Sequence, residues 1–180
     1  MRKELSQIIE IPEGVEVEIQ GNSIIVKGKE GVNERKFDLA NLILEKKGNE
    51  IIIGNKKSSK KEKRRMNTIA AHIRNMMHGA GNRFEYKMKI CFSHFPITVE
   101  VKGNEALIKN FLGERTPRKA KIVKGAEVKV DKEIVTITAS DIETAGQTAA
   151  NFETATRIVN RDRRVFQDGI FITSKCGGEI

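Results

Sequence analysis

Hydrophobic residues fall along this chain with two periods, and the change between them marks its organisation. Val15, Val17 and Ile19 alternate with Glu16 and Glu18, the pattern of a strand with one buried face. Pro12-Glu13-Gly14 breaks the chain before that run, and Gly21-Asn22 turns it back into Ile24-Ile25-Val26. Phe37 to Leu44 and Ile51-Ile52-Ile53 read as further short strands, parted by the polar turn Lys46-Lys47-Gly48-Asn49. The period then becomes helical. Met66, Ile69, Ala70, Ile73, Met77 and Ala80 share one helix face, and Ser59-Lys60-Lys61-Glu62 has the spacing of a capping box. Gly79 and Gly81 close that helix. From Phe84 to Phe92 strict alternation returns, with Phe84, Tyr86, Met88, Ile90 and Phe92 on one face and Glu85, Lys87 and Lys89 on the other.

The second half repeats the first. Val15-Glu16-Val17-Glu18-Ile19-Gln20-Gly21-Asn22 matches Ile97-Thr98-Val99-Glu100-Val101-Lys102-Gly103-Asn104, and Ile51-Ile52-Ile53 finds a counterpart in Ile134-Val135-Thr136. A second box, Ser140-Asp141-Ile142-Glu143, opens a second helix with Ile142, Ala145, Ala149, Phe152 and Val159 on its apolar face. A helix striped on one face buries that stripe against its own sheet. The expected fold is therefore α+β and duplicated, each domain a small antiparallel sheet packed against one helix. The expected domains are residues 1–82 and 83–180, and a single merged sheet is the alternative topology.

Charge narrows the function. Lys and Arg number 33 against 24 Asp and Glu, a net charge of +9, which favours a polyanionic partner. No run approaches the roughly 20 apolar residues of a membrane span, and the N-terminus has no signal-peptide pattern. Cys91 and Cys176 form no Cys-x-x-Cys pair and are expected to be reduced, inside the cell. With no Trp and few aromatics, stacking of bases is a poor general mechanism for this chain.

Three basic segments carry the candidate chemistry. The arginine-rich one is Arg157, Arg161, Arg163 and Arg164, followed by Asp168-Gly169 and the apolar Ile170-Phe171-Ile172 before Lys175. Guanidinium groups take phosphate oxygens in a fixed fork. Arg115, Arg118 and Lys119 form a second cluster, where Gly113 and Pro117 bend the backbone. These eight bases are the expected RNA contacts. Lys60, Lys61, Lys63, Arg64 and Arg65 are a secondary set, next to a Ser-Lys stretch expected to be a loose loop. Asp168 and Gly169 are expected to be structural, the glycine accepting positive φ in a tight turn. Enzyme signals are weak. His72 and His78 do not share a helix face, His94 has no neighbouring ligand, and no Gly-rich phosphate loop is present. No catalysis, metal, cofactor or small-molecule substrate is expected.

The chain resembles a known family at four stretches. They are His72-Ile73-Arg74-Asn75-Met76-Met77 with Gly79; Tyr86-Lys87-Met88-Lys89 with His94-Phe95-Pro96-Ile97; Asn110-Phe111-Leu112-Gly113-Glu114; and Ser140-Asp141-Ile142-Glu143. A fifth match is Arg164-x-Phe166-x-Asp168-Gly169-Ile170-Phe171-Ile172, with Lys175 after it. Together they are similar to the large-subunit ribosomal proteins of the L-six family in the archaeal and eukaryotic form. One departure is Thr154, where that family often has Gln. The resemblance implies a structural, cytoplasmic protein of the ribosome. It also implies contact with large-subunit ribosomal RNA and neighbouring proteins at the stalk base, near the region where translation factors bind. The residues alone leave open a free-standing basic nucleic-acid-binding module.

Overall fold

The computed structural model describes residues 3–180, and they divide into two compact units, one ending at Arg83 and the other beginning at Phe84. The first contains β1 (Lys3–Glu10), β2 (Glu16–Gln20), β3 (Ser23–Gly28), β4 (Gly31–Lys36), β5 (Ile43–Lys47), β6 (Glu50–Ser58) and α1 (Lys60–Gly81). Its strands form two antiparallel sheets, β1-β6-β5 and β2-β3-β4. The second contains β7 (Phe84–Cys91), β8 (Thr98–Lys102), β9 (Glu105–Lys109), a 3-10 turn at Phe111–Gly113 and β10 (Arg118–Lys121). It continues through β11 (Ala126–Asp131), β12 (Ile134–Ala139), α2 (Ile142–Ala155), β13 (Gly169–Lys175) and β14 (Gly178–Glu179). Its sheets are β10-β9-β8 and β11-β12-β7-β13-β14. The fold is α+β and duplicated, with the strands of each unit shared between two small sheets.

The repeat extends to single hydrogen bonds. Val17 pairs with Val26 in one hairpin and Val99 with Ile108 in the other. Gly21 and Gly103 both begin their turns at φ 60°, where glycine meets no side-chain penalty. In each unit the next residue, Asn22 or Asn104, accepts a 2.8 Å bond from a distant amide, Phe37 in one case and Ile122 in the other.

Each unit has its own core. Met66, Ile69, Ala70, Ile73 and Met77 of α1 lie over Ile9, Ile51 and Ile53. Ile73 is fully buried, so truncating it to alanine should cost about 2–5 kcal/mol through lost transfer energy and the cavity left behind. Phe84, Tyr86, Met88 and Ile90 point inward from β7 to meet Phe152 and Ala149 of α2. Phe92, expected on the same face, is not part of it: β7 ends at Cys91 and Phe92 is exposed.

Ser59 caps α1: its hydroxyl accepts from Lys61 N at 3.2 Å, and its own N–H donates to Glu62 Oε2 at 2.8 Å. The second cap departs from the sequence expectation. Asp141, not Ser140, takes the N-cap position, accepting from Glu143 N at 3.3 Å and Thr144 N at 3.2 Å. Each of its two carboxylate oxygens takes one of the free amides of the first turn. Val159 lies beyond the end of α2 and is 66% exposed, so it is not part of the apolar face. The run from Phe37 to Leu44 is not one strand either. Phe37 and Leu42 are buried from a loop, and β5 starts only at Ile43.

Candidate nucleic-acid interface

The site begins with a strained turn. Asn110, Leu112 and Gly113 have φ of 60°, 50° and 75°, all in the left-handed region. Glycine suits this conformation and asparagine tolerates it, whereas Leu112 adopts it at a cost of about 1 kcal/mol or more. Three contacts hold the turn. Asn110 Nδ2 donates to Pro96 O at 3.0 Å, Phe111 is buried, and a side chain at Gly113 would meet the Phe95 ring at 3.2 Å.

Arg118 ties this turn to the end of α2. Its Nε and Nη2 donate to Glu114 Oε2 and Oε1 at 2.8 and 2.6 Å. Nη1 donates to Ala155 O at 2.9 Å and Arg157 O at 3.2 Å, satisfying carbonyls that a helix C-terminus leaves free. The guanidinium carbon lies 4.3 Å from the centre of the Phe111 ring. The hydrogen bond from Arg118 holds the Glu114 carboxyl below the usual carboxylate range, with Arg161 adding a smaller pull. The Arg118 fork is thus engaged inside the unit, where it positions the residues on either side.

Those neighbours face solvent. Arg115, Arg157 and Arg163 are exposed, with no acidic partner among the described residues. Arg161 lies 4.8 Å above the half-buried Phe166 ring. Arg164 pairs with Asp162 at 2.9 Å in an ion pair whose arginine is 90% exposed, and that bond draws the Asp162 carboxyl down. Such an exposed pair is worth little and can yield to a phosphate.

The backbone carrying these groups has no regular structure from 157 to 168, yet it is anchored. Asp162 O accepts from Val165 N at 3.1 Å and from Phe166 N at 2.9 Å. Thr156 is buried; its hydroxyl donates to Phe152 O at 3.1 Å and accepts from Ile170 N at 3.1 Å. Asp168 is also buried, its Oδ1 accepting from Ser93 N and Ser93 Oγ at 3.2 and 3.1 Å. Gly169 is needed for a different reason from the one expected. Its φ is not positive; instead, a side chain there would meet the Phe171 ring at 2.8 Å. Arg157 and Arg163 line a cleft of about 810 Å³ with Phe92, Phe166 and Phe171.

Two other candidates stand apart. Lys175 lies six residues along β13 from Gly169, about 20 Å at the rise of a strand. Lys119 pairs with Glu105 at 3.5 Å on the sheet β10-β9-β8. In the first unit Lys60, Lys61, Lys63, Arg64 and Arg65 occupy the opening turns of α1, all exposed, with Arg65 3.4 Å from Asp38. The loose Ser-Lys loop expected there is absent. β6 runs through Lys56 and Lys57 to Ser58, and the helix begins at Lys60, so these charges too are held by regular structure. Packing by Phe166 is expected from its place in the arginine-rich segment, whereas the holding roles of Glu114 and Phe111 were not anticipated. The spacing of Glu114 four residues before Arg118 was the available signal.

Among the described residues no group of three or more His, Cys, Asp or Glu is arranged to hold a metal ion. Among them, too, no helix is long and apolar enough to cross a membrane. The fold and this surface define a class of protein, a duplicated α+β scaffold that presents fixed guanidinium groups. The family model of ribosomal protein L6 matches residues 11–80 and 95–169, one stretch in each unit. The chain is 50% identical over 167 residues to the large ribosomal subunit protein uL6 of Methanobrevibacter smithii, covering 93% of this chain and 94% of that one. It is 45% identical over 173 residues to uL6 of Ignicoccus hospitalis, covering 93% of each. Against uL6 of Methanocella arvoryzae the identity is 44% over 177 residues, 98% of this chain and all of the other. This chain belongs to the ribosomal protein L6 family, whose members are structural proteins and not enzymes.

Proposed function

We propose that this protein is a structural component of the large ribosomal subunit, working in the cytoplasm. It would bind large-subunit ribosomal RNA chiefly through its second unit, at the base of the stalk near the translation-factor-binding region. Membership of the L6 family and relatives named as large-subunit proteins support the ribosomal role. The placement at the stalk base, beside neighbouring ribosomal proteins, rests on the family resemblance.

Arginine content on an anchored backbone carries the choice of surface, since the start of α1 is also held by regular structure but has two arginines against five here. Arg115, Arg157, Arg161, Arg163 and Arg164 project from backbone fixed by Arg118, Thr156 and the Asp162 turn. Arginines on a fixed backbone meet phosphates without first being ordered. Lys119 and Lys175 are secondary contacts, and the basic start of α1 is a further one. A free-standing reader of duplex DNA would need a basic helix able to enter a groove, a role closed to α2, which carries no Lys or Arg, and left to α1 alone.

The test is binding of the full chain to a large-subunit RNA fragment across salt concentrations. Five or six neutralised phosphates give a log–log slope on the order of −4 to −5. Charge removal at Arg161, Arg163 and Arg164 together should flatten the slope and weaken binding at least about tenfold, roughly 1.4 kcal/mol. Neutralising Lys56, Lys57, Lys60 and Lys61 should do less, and the opposite ranking would assign the RNA face to the first unit. Hydroxyl-radical probing from a reagent tethered at position 163 tests the stalk-base placement, since cleavage confined to a distant RNA domain would overturn it.

A further inference from the structure

The two halves are built alike as far as their helices and differ after them. In the second unit the central strand β7 is paired on both sides, to β12 and to β13. Its counterpart in the first unit is β1, antiparallel to β6 as β7 is to β12. Burial aligns Ile51 and Ile53 with Val135 and Ile137, one residue beyond the match expected from sequence, because the buried face of each strand must coincide; this sets Ile9 in the place of Met88 and Gln7 in the place of Tyr86. Yet the first sheet ends at β1, and among the described residues nothing pairs with its outer edge. The position that β13 fills in one unit stands open in the other.

The opening is shaped for a strand. A groove of about 590 Å³ lies there, lined by Ile8, Ile9 and Pro12 on one side and by Arg74 and Met77 of α1 on the other. In the second unit β13 sets Ile170 and Ile172 beside Ile90 and Met88, and their amides bond to Thr156 and Glu153 around the end of α2. Ile8 is 56% exposed at the open edge. Gln7 Oε1 is buried without a hydrogen-bond partner, a destabilising state for a carbonyl oxygen. Beside Tyr86, in the equivalent place, the turn after β13 is tied down by Cys176 N, which donates to Glu85 O at 2.8 Å. An open edge strand with exposed apolar side chains is otherwise a template for aggregation.

Charge selects the occupant. From Glu4 to Gln20 the chain has five glutamates and no Lys or Arg, within a protein of net charge +9. At the groove itself the two carboxylates Glu10 and Glu50 outnumber the single guanidinium, Arg74. This acidic stretch repels phosphate and attracts a cationic polypeptide. We propose that the open edge of β1 takes an antiparallel strand from a neighbouring polypeptide of the subunit. That strand alternates apolar with basic residues and completes in trans the sheet that β13 completes within the second unit. The identity of the partner rests on the proposed place in the ribosome, whereas the open edge rests on the fold.

The test uses assembled large subunits carrying p-benzoylphenylalanine in place of Ile8, together with amide exchange of the unmodified protein, free and in the subunit. The expected adduct is a single Lys- or Arg-rich stretch of one polypeptide. Exchange across residues 4–10 should slow at least about tenfold at every second amide on entry into the subunit. An adduct on RNA would overturn the proposal. So would an adduct on protein with exchange along β1 unchanged, since a neighbour would then be near without pairing. Exchange across residues 157–167 in the same data reports the RNA-facing loop, so the two proposals fail separately.

Discussion

Replacing Arg118 with alanine should destabilise the second unit by about 3 kcal/mol. Its contact with the Phe111 ring is worth about 0.5–1 kcal/mol at a half-buried site. Each bond to the Ala155 and Arg157 carbonyls contributes about 1 kcal/mol. The pair with Glu114 is partly exposed, 29% and 38% for the two side chains, and is discounted to at most about 1 kcal/mol. These contacts share one group and do not add independently, which leaves a range of about 2–4 kcal/mol. The assay is built into the chain. Tyr86 is its single tyrosine, no tryptophan is present, and the residue lies buried in β7. Tyrosine fluorescence during urea unfolding of the full protein therefore reports on the second unit alone. With an m-value of about 1–3 kcal/mol/M, the midpoint should fall by about 1–3 M. Arg118→Lys keeps the charge but lacks the planar fork, and it should recover less than half of the loss. A shift below about 0.5 kcal/mol, the range of a plain surface substitution, would refute the internal role if RNA affinity fell as it does on removing Arg163.

Gly169→Val should lower the same Tyr86 midpoint by an amount equivalent to about 1–3 kcal/mol, because the new side chain enters the space of the Phe171 ring; an unchanged midpoint would show that the ring moves aside freely. Ser59→Ala should cost the first unit about 1 kcal/mol through loss of its cap, seen in the helical circular dichroism signal while the tyrosine transition stays put. Glu114 has a lowered folded-state pKa, so its ion pair stabilises fully above the ordinary carboxylate value of about 4.3 and is lost as pH falls through the lower folded value. Glu114→Gln should therefore be less stable than the parent at pH 7, and the gap should close on acidification below about pH 4; a gap that persists or widens in acid would exclude the ion pair as its cause.

Local periodicity carried most of the fold. The alternation from Phe84 to Ile90 and the helical stripe from Met66 to Ala80 are long enough to stand above noise, and both elements form where they are expected. The weaker elements were hidden for identifiable reasons. β4, Gly31–Lys36, has a single large apolar residue, Val32, and that one is exposed; the strand exists because β3 pairs with it. Phe37 and Leu42 look like strand residues and are buried by a loop instead, since depth in a core does not require a ladder. The basic clusters were visible from composition, but the division of labour within them was not. Arg115 and Arg118 look alike in sequence, and only folding sets the Ala155 carbonyl and the Phe111 ring around one of them. Glycine at position 169 likewise suggested a turn, whereas the constraint is a ring two residues further on.

The Thr156 hydroxyl, bonded on one side to Phe152 and on the other to Ile170, fixes the two ends of the arginine-bearing segment against each other. Bringing together the ends of a free segment of that length costs on the order of 2 kcal/mol of loop-closure entropy. Here the cost falls on folding of the unit, long before any polyanion arrives. A phosphate backbone docking on the loop meets a surface already closed, so less of each contact is consumed in restraining the chain and more of it is left as affinity.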